Sequence, residues 1–122
     1  MSLVDVHGRL AITILLYTTA MGVWGLVRYF RHKGVNSNFW GGLAINEIII
    51  LVQGVLGIYL WISQLRPERG SVHVLYGIVT ALSIPAVYVF TKGNEERREI
   101  LIYSIILLIV VVLSFRAMIT GG

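Results

Sequence analysis

The sequence predicts an all-α integral membrane protein, an up-down-up-down bundle of four transmembrane helices. Hydrophobic residues make up 57% of the 122 residues and charged residues only 13%, which excludes an ordinary soluble domain. Four apolar runs follow one another, and the length of each suits a helix that crosses a bilayer, which needs about 20 residues. The connections are short, so consecutive helices are expected to lie side by side and antiparallel.

We expect one domain, residues 1–122, with four membrane spans. In chain order the spans are expected at residues 8–30, 39–62, 72–90 and 100–119. A basic cluster and a polar turn follow the first span, and Asn38 is the expected N-cap of the second. Residues 64–70 form a charged turn that cannot remain in lipid. Pro85 lies inside the third span, where it removes a backbone hydrogen bond and favours a kink.

Small and polar residues recur at helical spacing within the apolar runs, and they predict the sides that face the bundle interior. On the first helix this stripe comprises His7, Ala11, Ile14, Thr18, Gly22 and Gly25. On the second helix it comprises Asn46, Ile50, Gln53, Gly54, Gly57 and Trp61. On the third helix it comprises His73, Gly77, Thr80 and Ile84, and on the fourth Tyr103, Leu107, Val110 and Ser114.

The distribution of Lys and Arg predicts the orientation in the membrane. The first and third connections hold six of them: Arg28, Arg31, Lys33, Lys92, Arg97 and Arg98. The opposite side holds four: Arg9, Arg66, Arg69 and Arg116. The more basic side is expected in the cytoplasm, so both termini are expected outside, in the periplasm if the membrane is a bacterial plasma membrane.

Composition also excludes several classes of function. The chain has no cysteine, which excludes disulfides, thiolate metal sites, iron–sulfur clusters and thioether-linked haem. The net charge of +4 comes from the connections, where membrane proteins keep basic residues, and does not indicate nucleic acid. No phosphate-binding loop, nucleophile elbow or metalloprotease motif is present, so a conventional enzyme is not expected.

The first pattern that carries chemistry is a pair of histidines. His7 and His73 open the first and third spans, so both are expected at one level on diagonally opposite helices. Two inward imidazoles at one level can hold a haem iron from both sides. At that level Gly57 and Ser114 or Ala117 are small enough for the porphyrin to pass between the second and fourth helices. The alternative is that each histidine is an interfacial residue at a helix start.

Further residues near this end would contact a haem. Aromatic rings that could pack on the porphyrin are Tyr59, Trp61 and Tyr76. Guanidinium groups available to its propionates, as charge-assisted partners, are Arg9, Arg66, Arg69 and Arg116.

The residues around the two histidines resemble the four-helix membrane b-type cytochromes. The resemblance rests on the four-helix pattern and on Val6, Val72, Val74, Leu75, Tyr76 and Gly77 beside His7 and His73. It implies haem b and electron exchange with a quinone or a partner protein. The family carries four ligands deep in its helices, whereas this chain offers two near the boundary, which implies one haem at most.

The second pattern is the polar group of the second span. Glu47, beside Asn46 and with Gln53 further along, is a carboxylic acid in an apolar run, and such a residue is by default a functional hypothesis. It is expected to relay protons, to bind a cationic substrate or to lie in a quinone pocket, with Tyr17, Tyr88 and Tyr103 as neighbours. Alternatively, Glu47 and Gln53 form interhelical hydrogen bonds worth about 0.6–2 kcal/mol each. Glu47 is expected roughly 15 Å from the histidine end, too far to ligate the same group.

Three functions remain open from the sequence. The favoured one is a small haem b-binding membrane protein that transfers electrons. The second is an accessory or assembly subunit of a larger membrane complex, without a cofactor. The third is a small proton-coupled transporter that acts as a homodimer and uses Glu47.

Overall fold

A computed structural model describes residues 2–63 and 70–120, which contain four α-helices and no strand. The helices are α1 (Leu3–Phe30), α2 (Ser37–Ile62), α3 (Gly70–Thr91) and α4 (Arg97–Thr120). All four are long and apolar enough to cross a membrane. Each begins two to five residues before the apolar run predicted for it. Apart from Gly70, the predicted charged turn at residues 64–70 lies outside the described residues.

Polar side chains define the starts of the first two helices. Ser2 and Asp5 form a reciprocal capping box, which explains why α1 begins within the polar N-terminal segment. Asn36 caps α2, because its Oδ1 accepts a hydrogen bond of 2.8 Å from the Phe39 N–H. The prediction that Asn38 is this cap was wrong, since Asn38 already lies within the first turn of α2.

The helices pack in a ring that follows the chain order. Both α1 and α3 contact α2 and α4, so α1 and α3 lie opposite each other. Glycines allow α1 and α4 to approach closely: a Cβ atom on Gly25 would collide with the Ser104 side chain, and one on Gly22 would lie 2.8 Å from a Leu108 methyl carbon. Small residues thus set the tightest helix contact of the fold.

The hydrophobic core lies towards the end of the molecule that holds residues 31–36 and 92–96. Its buried members are Met21, Val35, Phe39, Leu43, Ile84, Val87, Ile100, Tyr103 and Leu107. The two connections close this end, since the Val35 N–H donates to the Glu95 carbonyl at 2.9 Å. Arg97 Nε donates to the Tyr29 carbonyl at 2.7 Å, which ties the start of α4 to the end of α1.

Most of the predicted interior stripes are buried. All four stripe residues of α4 are buried, as are Thr18 on α1 and Asn46 on α2. Gly54 and Gly77 are exceptions: both are exposed, and a Cβ atom on either would meet nothing within 4 Å among the described residues. Their inclusion in the interior stripes was wrong.

Candidate cofactor site

The two histidines that open α1 and α3 meet at one end of the fold. The ring centroids of His7 and His73 are 6.3 Å apart, and their planes are inclined by 64°. They reach this separation although α1 and α3 are opposite helices of the ring. Both rings are half-buried. The two imidazoles therefore lie next to one another, edge to face, in the space between α2 and α4.

The separation of the rings is too large for a direct hydrogen bond and suits a shared metal ion. Each ring nitrogen lies about 1.2 Å from its centroid, so a centroid distance of 6.3 Å keeps the nitrogens of His7 and His73 at least about 4 Å apart. A nitrogen–metal bond is about 2 Å long, so two such bonds in line span about 4 Å. One ion between the rings could be bound by both if a nitrogen of each ring points along the line that joins the two centroids.

The hydrogen bond of His73 indicates which of its ring nitrogens carries the proton. His73 Nδ1 lies 3.0 Å from the Ala117 carbonyl oxygen on α4, an atom that can only accept. In the neutral imidazole Nδ1 then carries the proton and Nε2 carries the lone pair. A histidine that ligates a metal commonly donates its other ring N–H to a backbone carbonyl in this way, which fixes the orientation of the ring.

His7 is positioned by α2. Gln53 Nε2 donates a hydrogen bond of 2.8 Å to the His7 carbonyl, and a Cβ atom on Gly57 would lie 3.4 Å from His7 Cε1. The glycine thus leaves room for the imidazole between α1 and α2. His7 Nδ1 is buried and makes no hydrogen bond of ordinary geometry within residues 2–63 and 70–120, although the Gln53 side chain is a polar neighbour.

Other buried polar atoms at this end also lack partners. Among the described residues, Gln53 Oε1 and Ser114 Oγ are buried without a hydrogen bond, like His7 Nδ1. Ser114 lies one turn before Ala117 on α4, and Gln53 lies one turn before Gly57 on α2. Unpartnered buried polar atoms are uncommon, and a group of them is typical of a site that binds a ligand or water.

The remaining predicted site residues surround this pair less closely. Tyr76 is half-buried one turn after His73, and Arg9 and Arg116 are exposed. Among the described residues, neither arginine side chain makes a hydrogen bond or an ion pair, so both guanidinium groups are accessible. Arg66 and Arg69 lie outside the described residues.

The polar residues of α2 divide between two roles. Asn46 is fully buried and donates from Nδ2 to Thr18 Oγ1 at 3.2 Å, and Gln53 binds the His7 carbonyl, so both join α2 to α1. Glu47 instead lines a groove between α2, α3 and α4, together with Tyr88 and Tyr103. Its Oε1 is buried and has no hydrogen-bond partner in the described part of the chain.

Two contacts at these sites were not predicted from the sequence. The Ala117 carbonyl binds His73, and Trp40 Nε1 donates to a Glu95 carboxylate oxygen. The residue type does not reveal which backbone carbonyl will act as an acceptor, so the first contact could not be predicted. The second could have been, because an indole N–H at the start of α2 and an acidic third connection are expected at the same end of the bundle. The predicted neighbours of Glu47 prove partly correct, since Tyr17 binds the Gly42 carbonyl while the other two tyrosines share its groove.

Comparison with known proteins gives no assignment: no family model, no curated protein and no solved structure matches this chain.

Proposed function

We propose that the chain is an integral membrane protein that binds one haem b through His7 and His73 and exchanges electrons with a quinone or a partner protein. The observation that carries the proposal is the 6.3 Å separation of the two imidazole centroids on opposite helices. Bound there, the haem would supply a one-electron redox centre. The chain would hold it through the imidazoles of His7 and His73, with the His73 ring oriented by its hydrogen bond to the Ala117 carbonyl.

A haem suits this pair better than a bare metal ion. Within the described residues no group of three or more His, Cys, Asp or Glu side chains is placed to hold a metal. A structural zinc site takes four protein ligands, whereas a porphyrin supplies four nitrogens itself and needs only axial ligands from the protein. Two histidines therefore provide enough protein ligands for a haem iron and too few for a stable zinc site.

Membrane insertion and an up-down-up-down arrangement are part of the same proposal. Large apolar side chains on all four helices are exposed, for example Leu16 (65%), Val55 (67%), Val89 (75%) and Val112 (61%). An exposed apolar surface of this extent is unfavourable for a small protein in water and favourable in the hydrocarbon of a membrane. The contact of His7, near the start of α1, with Gln53, in the second half of α2, supports an antiparallel arrangement.

The proposal includes the orientation predicted from the charge distribution, with both termini outside. Arg9 and Arg116, exposed at the histidine end, would then meet the propionates or the lipid headgroups on the outer side. An accessory subunit without a cofactor would need neither facing histidines nor a glycine beside one of them.

The experiment is an optical spectrum of the purified protein, expressed with iron and a haem precursor supplied. We expect a Soret band and, after reduction by dithionite, an α band, with about one haem per chain. His7→Ala and His73→Ala should each lower the haem content at least tenfold. His32→Ala is the matched control, because His32 is the third histidine and is exposed in the first connection. The absence of both bands from the wild-type protein would reject the proposal.

A further inference from the structure

The groove beside Glu47 lies on the other half of the molecule from the histidine pair. It has a volume of about 330 Å³ and is open on one side, where apolar side chains of α2 and α3 are exposed. Glu47 lies ten residues before Gly57 on α2, roughly 15 Å along the helix axis, so the groove is separate from the histidine site.

The groove combines aromatic walls with one acid. Trp40, Tyr88 and Tyr103 line it, and the Trp40 ring centroid is 5.7 Å from that of each tyrosine. Glu47 is the only acidic residue among the described residues that line the groove, and none of them is basic. Aromatic faces together with a carboxylate are the usual components of a site that recognises a quaternary ammonium group.

Two polar atoms of the groove lack the partners that burial normally requires. Glu47 Oε1 is buried, and among the described residues no Lys, Arg or His forms an ion pair with Glu47. Tyr103 is fully buried, and Thr91 is a polar neighbour of its hydroxyl. Among the described residues, however, this hydroxyl makes no hydrogen bond of ordinary geometry. An acid within an apolar span normally pairs with another group, so its counter-charge is expected from a ligand.

We propose that this groove binds an amphiphilic organic cation, with the cationic head between Glu47 and the rings of Tyr88 and Trp40 and the apolar part towards the hydrocarbon. A purely apolar occupant such as an acyl chain would fill the volume but leave Glu47 unpaired. The charge of the lining is complementary to a cation and to no anion. The site uses no residue of the histidine pair, so it can be tested on haem-free protein.

The size of the groove determines which small molecules are suitable as probes of binding. Benzyltrimethylammonium combines a quaternary nitrogen with one aromatic ring and is smaller than the groove. Neopentylbenzene is its neutral isostere, with carbon in place of the charged nitrogen. Duroquinone is a neutral planar ring with two carbonyl acceptors, and it tests whether the groove prefers a quinone.

The experiment is isothermal titration calorimetry of the protein in nanodiscs of zwitterionic phosphatidylcholine, with empty nanodiscs as the blank. We expect saturable binding of benzyltrimethylammonium that is not displaced by neopentylbenzene or duroquinone. Glu47→Gln should weaken binding at least tenfold, because it removes the charge and keeps the shape. Glu96→Gln is the matched control, since Glu96 is an exposed acid outside the groove, and should change binding less than twofold.

A second variant tests the aromatic wall independently of the acid. Tyr88 is 53% exposed, so Tyr88→Leu should leave the core folded while weakening cation binding about threefold to tenfold. Displacement of the cation by neopentylbenzene, tighter binding of duroquinone, or equal affinities of wild type and Glu47→Gln would each overturn the proposal. A protein that binds the cation but shows no haem bands would leave this proposal standing and reject only the proposed electron transfer.

Discussion

Gly57 offers a direct test of whether the position of His7 holds a cofactor. A Cβ atom at residue 57 would lie 3.4 Å from His7 Cε1, which is ordinary contact between carbon atoms. Gly57→Ala should therefore retain the haem. Valine adds two methyl carbons, each about 1.5 Å beyond Cβ, and its side chain is held mostly in one rotamer in a helix. A methyl carbon directed at the ring would approach to about 2 Å, so the imidazole would have to move by more than 1 Å.

A displacement of that size is more than half the length of a nitrogen–metal bond, which is about 2 Å. We therefore expect Gly57→Val to lower the affinity for haem at least tenfold, equivalent to about 1.4 kcal/mol or more. The assay is titration of haem into apoprotein in detergent, followed at the Soret band. Gly54→Val is the matched control, because residue 54 lies one turn earlier on α2 and a Cβ atom there would meet nothing within 4 Å among the described residues. Wild-type affinity in Gly57→Val would refute the placement of His7 at the cofactor.

Two further predictions concern the fold. Thr18→Val removes the acceptor of the 3.2 Å bond from Asn46, and it should destabilise the protein by about 1–2 kcal/mol because it leaves a buried amide without a partner. The double variant Thr18→Val/Asn46→Leu should recover part of that loss, measured by unfolding in sodium dodecyl sulfate. If the losses of stability in the two single variants simply add up in the double variant, the two side chains are not coupled. The chain has no cysteine, so single cysteines at Ser2 or Lys33 report the orientation. An impermeant maleimide should label Ser2→Cys in intact cells and Lys33→Cys only after lysis, and the reverse pattern would contradict the proposed orientation.

The number and positions of the helices follow from the sequence because each apolar run is long and is bounded by charged or turn residues. The exact first residue of each helix does not follow from the apolar run, because polar residues such as Ser2 and Asp5 extend a helix beyond its apolar part by capping it. The prediction that Asn38 caps α2 failed for a similar reason: Asn36, two residues earlier, suits the role equally well, and only backbone geometry distinguishes them.

The inward faces of the helices were only partly predictable. These helices are apolar on every side, so hydrophobic periodicity carries little information and the prediction rests on polar and small residues. Polar residues such as Asn46 and Ser114 were reliable guides, because an unpaired polar group is costly in lipid. Glycine was not, since Gly54 and Gly77 lie on exposed surfaces where a small residue carries no such cost.

The histidine pair was the part of the candidate site that the sequence could indicate, because both residues open helices on the same side. Their separation, the contact of His73 with the Ala117 carbonyl and the gap left by Gly57 depend on the rotation of each helix about its axis. That rotation is decided by packing between helices. The sequence therefore predicted which two residues meet and left the geometry of their contact open.

Electron paramagnetic resonance of the oxidised, haem-loaded protein tests the central claim most directly, because it reports the number of strong axial ligands on the iron. If His7 and His73 both bind the iron, we predict a low-spin ferric signal, converted to high-spin in His73→Ala. A high-spin signal in the wild-type protein would show that the two imidazoles do not share the iron and would contradict the proposed site.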